Sequence, residues 1–340
     1  MKYSDAGVDV ALWNKAKGRI GELVSSTFTE NVVGGFGQFG GMFSAASLKG
    51  MAEPVLVSST DSVGTKVKIA FETGIHTSVG EDIVNHCIND ILVLGARALF
   101  FLDYIGINKL VPELAEQIIQ GLVRACKAGG CVLIGGETAE MPDVYSHGEY
   151  DLVGCIVGVV DKSRIIDGRT ITPGDIAIGL RSSGLHTNGF SLARKIVKEA
   201  AGKSYGDPFQ NSGKTIGEVL LAPHRAYSPV LKLMERGAIK GCAHITGGGF
   251  QDNVDRILPN TCDAIIDTKT WMPDPIFQFL QAAGNVERDE MYHTFNMGVG
   301  MVLVVDPKGA DAVAGAPEIK AFEPKIIGRI VKGSGKVALE

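Results

Sequence analysis

Apolar residues along this chain recur with two different periods. Short runs rich in Val, Ile, Leu and Phe, closed off by Gly, Pro, Asp or Ser, alternate with longer stretches whose apolar positions repeat every three to four residues. EPVLVSST (53–60), ALFFLDYIGI (98–107), CVLIGGE (131–137) and YDLVGCIVGVVDK (150–162) predict strands, and SVGEDIVNHCINDILVLGA (78–96) and PELAEQIIQGLVRACKAG (112–129) predict helices between them. The punctuated segment IIDGRTITPGD (165–175) marks a boundary, after which DIAIGLRSS begins a fresh strand. Beyond it the alternation resumes. Strands are expected at CAHI, CDAIID, NMGVGMVLVVD and KIIGRIV; helices are expected from Asn188, in HRAYSPVLKLMERG, in DNVDRIL and in PDPIFQFLQAAG. The fold class is α/β or α+β, with domains at 1–170 and 171–340. Two halves of similar order suggest a duplicated topology, although no residue-level repeat is visible.

Composition narrows the function. A chain of 340 residues suits about two domains, and 45% hydrophobic with 21% charged residues is an ordinary globular mixture. A formal charge of -5 with no long Lys or Arg run lacks the footprint of a nucleic-acid or anionic-membrane binder. An anionic small molecule must then be held by local devices. The longest apolar runs, such as LVGCIVGVV (152–160), fall far short of the ~18 residues of a membrane span, and the start has no signal-peptide pattern, so a cytoplasmic protein is expected. Six cysteines scattered through apolar segments, without C-x-x-C, read as buried reduced thiols.

Several motifs offer chemistry, each with a plainer alternative. VVGGFGQFGGMF (32–43) carries G-x-G-x-x-G at Gly35, Gly37 and Gly40. It lacks the strand before and long helix after that a dinucleotide turn requires, which leaves a flexible linker or a flap whose N–H groups reach phosphate. SGKT (212–215) ends like a phosphate loop, but Pro208 stands where its first glycine is needed. In SSTDSVGTK (58–66), Asp61 is placed to hold Mg²⁺ and Lys66 to meet a phosphate, or else the segment is a turn capping the next helix. Helix 81–95 sets Ile83, Cys87, Ile91 and Leu94 against a stripe of Asp82, Asn85, His86, Asn89 and Asp90. Asn and Asp are poor helix formers, so the stripe suits either an interface or a cation. Glu137 and Glu140 follow the double glycine of GGETAEM (135–141). Asp61, Asp90 and Glu137 are expected to converge on metal-bound polyphosphate. SSGLHTNGFS (182–191) and TGGGF (246–250) read as helix starts that present N–H groups to an anion, or as simple turns; His186 sits where a proton could be moved.

Taken in order, DSVGTK (61–66), CINDILVLGA (87–96), FFLDY (100–104), IGGETAEMP (134–142), SSGLHTNGFSL (182–192), ITGGGF (245–250) and YHTFNMGVGM (292–301) closely resemble the phosphoribosylformylglycinamidine cyclo-ligase family, as does YSDAGVD at Tyr3–Asp9. Ser62 is a departure, standing where many relatives have glycine. The resemblance implies two α/β domains and a homodimer whose N-terminal sheets join into a barrel, with ATP sites near that interface. It also makes 34–41 a mobile lid over ATP. Implied cofactors are ATP and Mg²⁺, and the implied substrate is formylglycinamidine ribonucleotide. The expected nucleotide contacts are Gly35, Gly37, Gly40, Asp61, Thr65, Lys66, Asn89, Asp90, Gly136 and Glu137, of which Asp61, Asp90 and Glu137 hold metal. The expected substrate contacts are Ser182, Ser183, Gly184, His186, Asn188, Thr246, Gly247, Gly248 and Gly249. Lys66 and His186 are the expected catalytic side chains. Rival readings are a related ATP-using kinase or selenophosphate synthetase, and a non-catalytic nucleotide-binding regulator. No reactive Cys stands before Cys87, which counts against the synthetase, and Lys66 together with the carboxylates counts against the regulator.

Overall fold

Hydrophobic alternation places its strands where the periodicity predicts them, in two separate sheets. The computed structural model describes residues 10–340, with side chains from residue 17 onward, so the Tyr3–Asp9 motif lies outside the described residues. The chain divides into two compact units: Met1–Ile88 with Ala98–Lys162, and Asn89–Arg97 with Ser163–Glu340.

In the first unit, β1 (Val32–Val33) and β2 (Met42–Phe43) form a small antiparallel ribbon whose tip is the glycine-rich stretch. The main sheet comprises β3 (Pro54–Ser62), β4 (Arg97–Ile107), β5 (Val132–Glu140) and β6 (Tyr150–Asp161) in the order β3-β6-β4-β5. β3 pairs antiparallel with β6, while β4 and β5 run parallel, joined by a crossover helix as parallel neighbours require. The helices are α1 (Val10–Ser25), α2 (Val67–Thr73), α3 (Thr77–Leu92) and α4 (Pro112–Gly129). α4 begins on a proline and ends on Gly130 in the left-handed region, a start and a stop that its sequence spells out. α3 and α4 touch backbone to backbone. A Cβ at Gly80 would collide with the Ile118 carbonyl and one at Gly121 with the Thr77 carbonyl, so both positions need glycine despite its helix cost.

One sheet face, with Leu99, Phe101, Leu152 and Ile156, is buried. On the other, Phe100, Leu102, Val153, Cys155 and Val157 stay partly exposed. A sheet normally buries at least one apolar face; here the second is apolar as well.

The second unit is built on a six-stranded mixed sheet in the order β12-β9-β11-β7-β10-β8: β7 (Ile176–Arg181), β8 (Gly241–His244), β9 (Cys262–Ile266), β10 (Val299–Val305), β11 (Lys325–Lys332) and β12 (Val337–Leu339). β10 is buried along its full length, which explains its uninterrupted apolar run. Four strands in one sheet and six in another are not a simple duplication, so the suggested repeat does not hold at this level. The helices are short: α5 (Phe190–Lys195), α6 (Ile216–Leu220), α7 (Leu231–Glu235), α8 (Gly249–Val254), α9 (Pro275–Gly284), α10 (Arg288–Thr294) and α11 (Ala310–Ala314). The phosphate-loop decoy is the N-terminus of α6: Thr215 caps Glu218 N–H at 3.2 Å, and Glu218 accepts from Thr215 N–H at 2.7 Å. The six cysteines are free thiols, five of them buried. Among the described residues no helix is long and apolar enough to cross a membrane.

Candidate functional site

The glycine ribbon walls a cavity of about 450 Å³ in the first unit, closed on its other side by β4 and β5. Gly35, Gly37, Gly40, Gly41, Gly135 and Gly136 line it, together with Lys17, Asp103 and Glu137. Glycine is required at two of these positions: a Cβ on Gly136 would strike the Asp103 carboxylate, and one on Gly41 would lie 2.9 Å from the Ile134 carbonyl oxygen. Elsewhere the missing side chains leave backbone amides reachable from the cavity, since Gly35 and Gly40 face open space. The structure therefore gathers Gly35, Gly37, Gly40, Gly136 and Glu137 as neighbours of one cavity. It also adds two residues that the sequence left unmarked, Lys17 and Asp103. FFLDY carried the signal for Asp103: a lone carboxylate inside an apolar strand is costly without a task.

Burial pushes the Asp103 carboxyl up to about 7, with a backbone N–H opposing and the charge of Glu137 adding to the rise. The sign follows from linkage. Between about pH 4 and about pH 7 the folded state holds a proton that the unfolded state has released, so this group weakens the fold progressively as pH rises through that window. Asp103→Asn is accordingly expected to raise the melting temperature near pH 8 and to leave it almost unchanged near pH 4. Thermal melts of the two proteins across that range check it; an equal shift at both ends would remove the ionisation from the explanation.

At the other edge of the same sheet the expected ligands are engaged with protein groups. Asp61 Oδ2 lies 2.8 Å from Nε2 of buried His86. Lys66 is fully buried, with Nζ 2.9 and 2.8 Å from the two carboxylate oxygens of Asp82. Burial pulls its ammonium below the usual lysine range, against the attraction of Asp82. Lys66, expected to meet a phosphate, pairs here with a partner sixteen residues along, one that sequence spacing did not reveal. Thr65, beside it, is exposed. Asp82, Asn85, His86 and Asn89 of the polar stripe of α3 are buried, Asp82 and Asn89 at 0% exposure, while Asp90 stays partly exposed.

Asp61 and Glu137 do not converge within one chain. They sit on β3 and β5, the two edge strands, separated by three interstrand spacings, about 14 Å across the sheet. No single cation spans that distance. The convergence expected from sequence is corrected for these two carboxylates, because strand order, which local pattern does not encode, put them at opposite edges.

Asn89 and Asp90 belong to the second unit. Asn89 Oδ1 accepts from Tyr227 N–H at 2.9 Å, while its Nδ2 donates to the Arg225 carbonyl at 2.8 Å and faces His224 Nε2 at 3.1 Å. This bracket engages both ends of the Asn89 amide. Asp90 Oδ1 lies 2.9 Å from His244 Nδ1.

The two anion loops of this unit meet each other. Asn188 is the link: its Oδ1 would lie 3.4 Å from a Cβ placed on Gly247, and its buried Nδ2 has no hydrogen-bond partner in the protein. The Ser182 and Ser183 hydroxyls are internal struts. Ser182 Oγ donates to the Gly184 carbonyl at 2.9 Å and Ser183 Oγ to the Pro223 carbonyl at 2.5 Å. Asn296 Nδ2 also holds the Gly184 carbonyl, at 2.9 Å. Asn253 Nδ2 ties the carbonyls of Gly247 and Gly249 at 3.1 and 2.7 Å, and the Thr246 hydroxyl bonds Asn253 Oδ1 at 3.1 Å. Gly248 and Gly249 have φ of 87° and 61°, and a Cβ at Gly249 would collide with the Tyr292 carbonyl, so this turn is open to glycine alone. Each loop leads into a helix: α5 continues directly into the π-turn Ile196–Ala200, and α8 into the 3₁₀ turn Asp255–Ile257. His186, with φ 61°, is fully buried and accepts Ser183 N–H at 3.2 Å, a bond that supports its loop.

Comparison with known proteins follows the same division. Residues 44–160 match the family described as AIR synthase related protein, N-terminal domain, and residues 172–339 match its C-terminal domain. The phosphoribosylformylglycinamidine cyclo-ligase of Alkaliphilus metalliredigens is 47% identical over 340 residues, covering 100% of this chain and 98% of the relative. That of Geotalea uraniireducens is 51% identical over 312 residues, covering 92% and 89%. Among solved structures, hydrogenase maturation protein HypE in complex with ATP aligns with a TM-score of 0.68 at 16% identity over 99% of this chain and 93% of that one, a likeness of fold. Near-full-length identity of this order settles the membership: this chain belongs to the phosphoribosylformylglycinamidine cyclo-ligase family and is an enzyme of the ligase class.

Proposed function

We propose that the chain closes the imidazole ring of 5-aminoimidazole ribonucleotide from formylglycinamidine ribonucleotide in purine biosynthesis, consuming ATP and releasing ADP and phosphate. The formyl oxygen attacks the γ-phosphorus, giving an iminophosphate and ADP; the amidine nitrogen then attacks the activated carbon, and phosphate leaves with the former formyl oxygen. One observation carries the nucleotide part of this reading: the 450 Å³ cavity walled by glycines, with a lysine and two carboxylates in reach, has the size and chemistry of a polyphosphate site. Backbone amides around Gly35, Gly37, Gly40 and Gly136 hold phosphate oxygens, and Lys17 balances their charge. Thr65 and Asp90 remain nucleotide-side contacts in this proposal. Asp61, Asp90 and Glu137 keep the metal role in this proposal as separate carboxylates, Asp61 and Glu137 reaching one nucleotide only from different copies of the chain; Mg²⁺ would neutralise charge on the transferring phosphoryl group.

The ribose phosphate is assigned to the Ser182–Gly184 and Gly247–Gly249 loops. The buried, unpartnered Asn188 amide supports this, since an anion oxygen there would satisfy it. Domain roles follow, with 1–170 for nucleotide and dimerisation and 171–340 for the substrate. The partly exposed apolar face carrying Phe100, Leu102 and Val157 supports a homodimer in which two such sheets close into a barrel. A cytoplasmic setting belongs to the same reading.

The direct test incubates purified protein with formylglycinamidine ribonucleotide, ATP and MgCl₂. ADP, phosphate and the aminoimidazole product are expected in equal amounts. ADP formed without imidazole, or imidazole without ATP, would refute it.

A further inference from the structure

Four successive carbonyls of the turn from Thr246 to Gly249 are held by groups of the protein, and one buried side chain gathers three of them. Asn253, 4% exposed, places its Nδ2 2.7 Å from the Gly249 oxygen, 3.1 Å from that of Gly247 and 3.4 Å from that of Thr246. The Thr246 oxygen also accepts Gly249 N–H at 3.1 Å, and the Gly248 oxygen accepts Asp252 N–H at 3.3 Å. Thr246 Oγ1 donates to Asn253 Oδ1 at 3.1 Å, which fixes the end of the amide that faces the carbonyls.

Peptide geometry turns this gathering into a second feature on the far side of the turn. In a trans peptide the C=O and the N–H that follows it point in opposite directions. With the Thr246 and Gly247 carbonyls drawn toward Asn253, the N–H groups of Gly247 and Gly248 are directed away from it. Among the described residues neither N–H has a hydrogen-bond acceptor; Gly247 is exposed and Gly248 half-buried. Consecutive amides beside a glycine of φ 87° form a concavity suited to an anion. Asn188 adjoins it, with Oδ1 3.4 Å from where a Cβ on Gly247 would stand and a buried Nδ2 that has no partner in the protein. Asp252, on the Cβ side of Gly248, is exposed, so water and salt screen its charge.

We infer that Asn253 is the positioning residue of the substrate's phosphate subsite: by holding the carbonyls of Thr246, Gly247 and Gly249 it presents the Gly247 and Gly248 amides, with Asn188 Nδ2, to a phosphate monoester. The inference rests on the assignment of the ribose phosphate to these loops and names the side chain that shapes one of them for it. Glycine peptides rotate at little cost, so an outside group must fix which edge of each peptide faces the ligand. Without the Asn253 donors the same peptides can turn their oxygens outward and repel the anion. Charge-assisted bonds from neutral donors also suit a chain of net charge -5.

The test measures ribose 5-phosphate binding to the full chain by isothermal titration calorimetry without ATP, then KM for each substrate of ring closure. One ribose 5-phosphate per chain is expected for the wild type. Asn253→Leu, of similar volume and without donors, weakens it about 10- to 100-fold, the worth of one hydrogen bond to a charged group. Thr246→Val, which frees the Asn253 amide to flip, weakens it about 2- to 10-fold. KM for formylglycinamidine ribonucleotide rises in parallel, while KM for ATP keeps its wild-type value. Should Asn253→Leu lose its circular dichroism signature, Thr246→Val decides. Wild-type ribose 5-phosphate affinity in the deciding variant overturns the positioning role and leaves the phosphate assignment standing. An equal rise in both KM values, the mark of general loosening, also overturns it. A wild-type chain that binds no ribose 5-phosphate removes the phosphate assignment and the positioning role together.

Discussion

Mixing two inactive variants should restore about a quarter of wild-type activity. Asp61→Asn and Glu137→Gln each remove one carboxylate from opposite edges of the β3-β6-β4-β5 sheet, about 14 Å apart. If both act on the same nucleotide, a second copy must bring its β3 edge to the β5 end of the first. Each homodimeric variant is then inactive at both sites. In a mixed dimer one site collects both defects and the other collects neither. Random re-association makes half the dimers mixed, each with one intact site, which gives about 25% of wild-type turnover. The measurement is imidazole formation after co-refolding or co-expression at equal ratio. No recovery would mean that one chain supplies both carboxylates to its own site, a single variant that stays active would mean that its carboxylate is not needed, and either result ends the shared-site arrangement.

Lys66→Ala should lose stability as well as activity, by about 3 to 5 kcal/mol, because it strands Asp82 as an uncompensated charge at 0% exposure. Replacing both partners, Lys66→Met with Asp82→Leu, should return stability to within about 1 kcal/mol of wild type or better, since a well-packed apolar pair carries no desolvation cost. Urea unfolding of the single and double variants separates the terms. A Lys66→Ala protein with wild-type stability and no turnover would instead assign Lys66 to the phosphates.

Much of the fold was readable before any coordinate. The strand at 98–107, the helix at 112–129 and the strand at 150–161 follow from the period of their apolar residues, and α4 agrees with its predicted bounds because a proline and a glycine delimit it. Less was readable where elements depend on partners far along the chain. The helical pattern at 81–95 was visible, but a polar stripe beside an apolar one looks the same whether it faces solvent, a ligand or buried counter-charges. Here Asp82 and Asn89 are enclosed, and each finds its own internal partners. Nothing in FFLDY gives the cavity residue Asp103 a task, and only its neighbours Gly136 and Glu137 do so.

By itself the sequence determined the class of each segment and the family, because periodicity and ordered motifs are local properties of the chain. Tertiary structure alone decided that Lys66 answers Asp82, that Asp61 and Glu137 occupy opposite sheet edges, and that histidines 186, 224 and 244 share one interior. Those outcomes depend on strand order and on which helix face is buried. Both are set by contacts between residues tens of positions apart, where side-chain period carries no information.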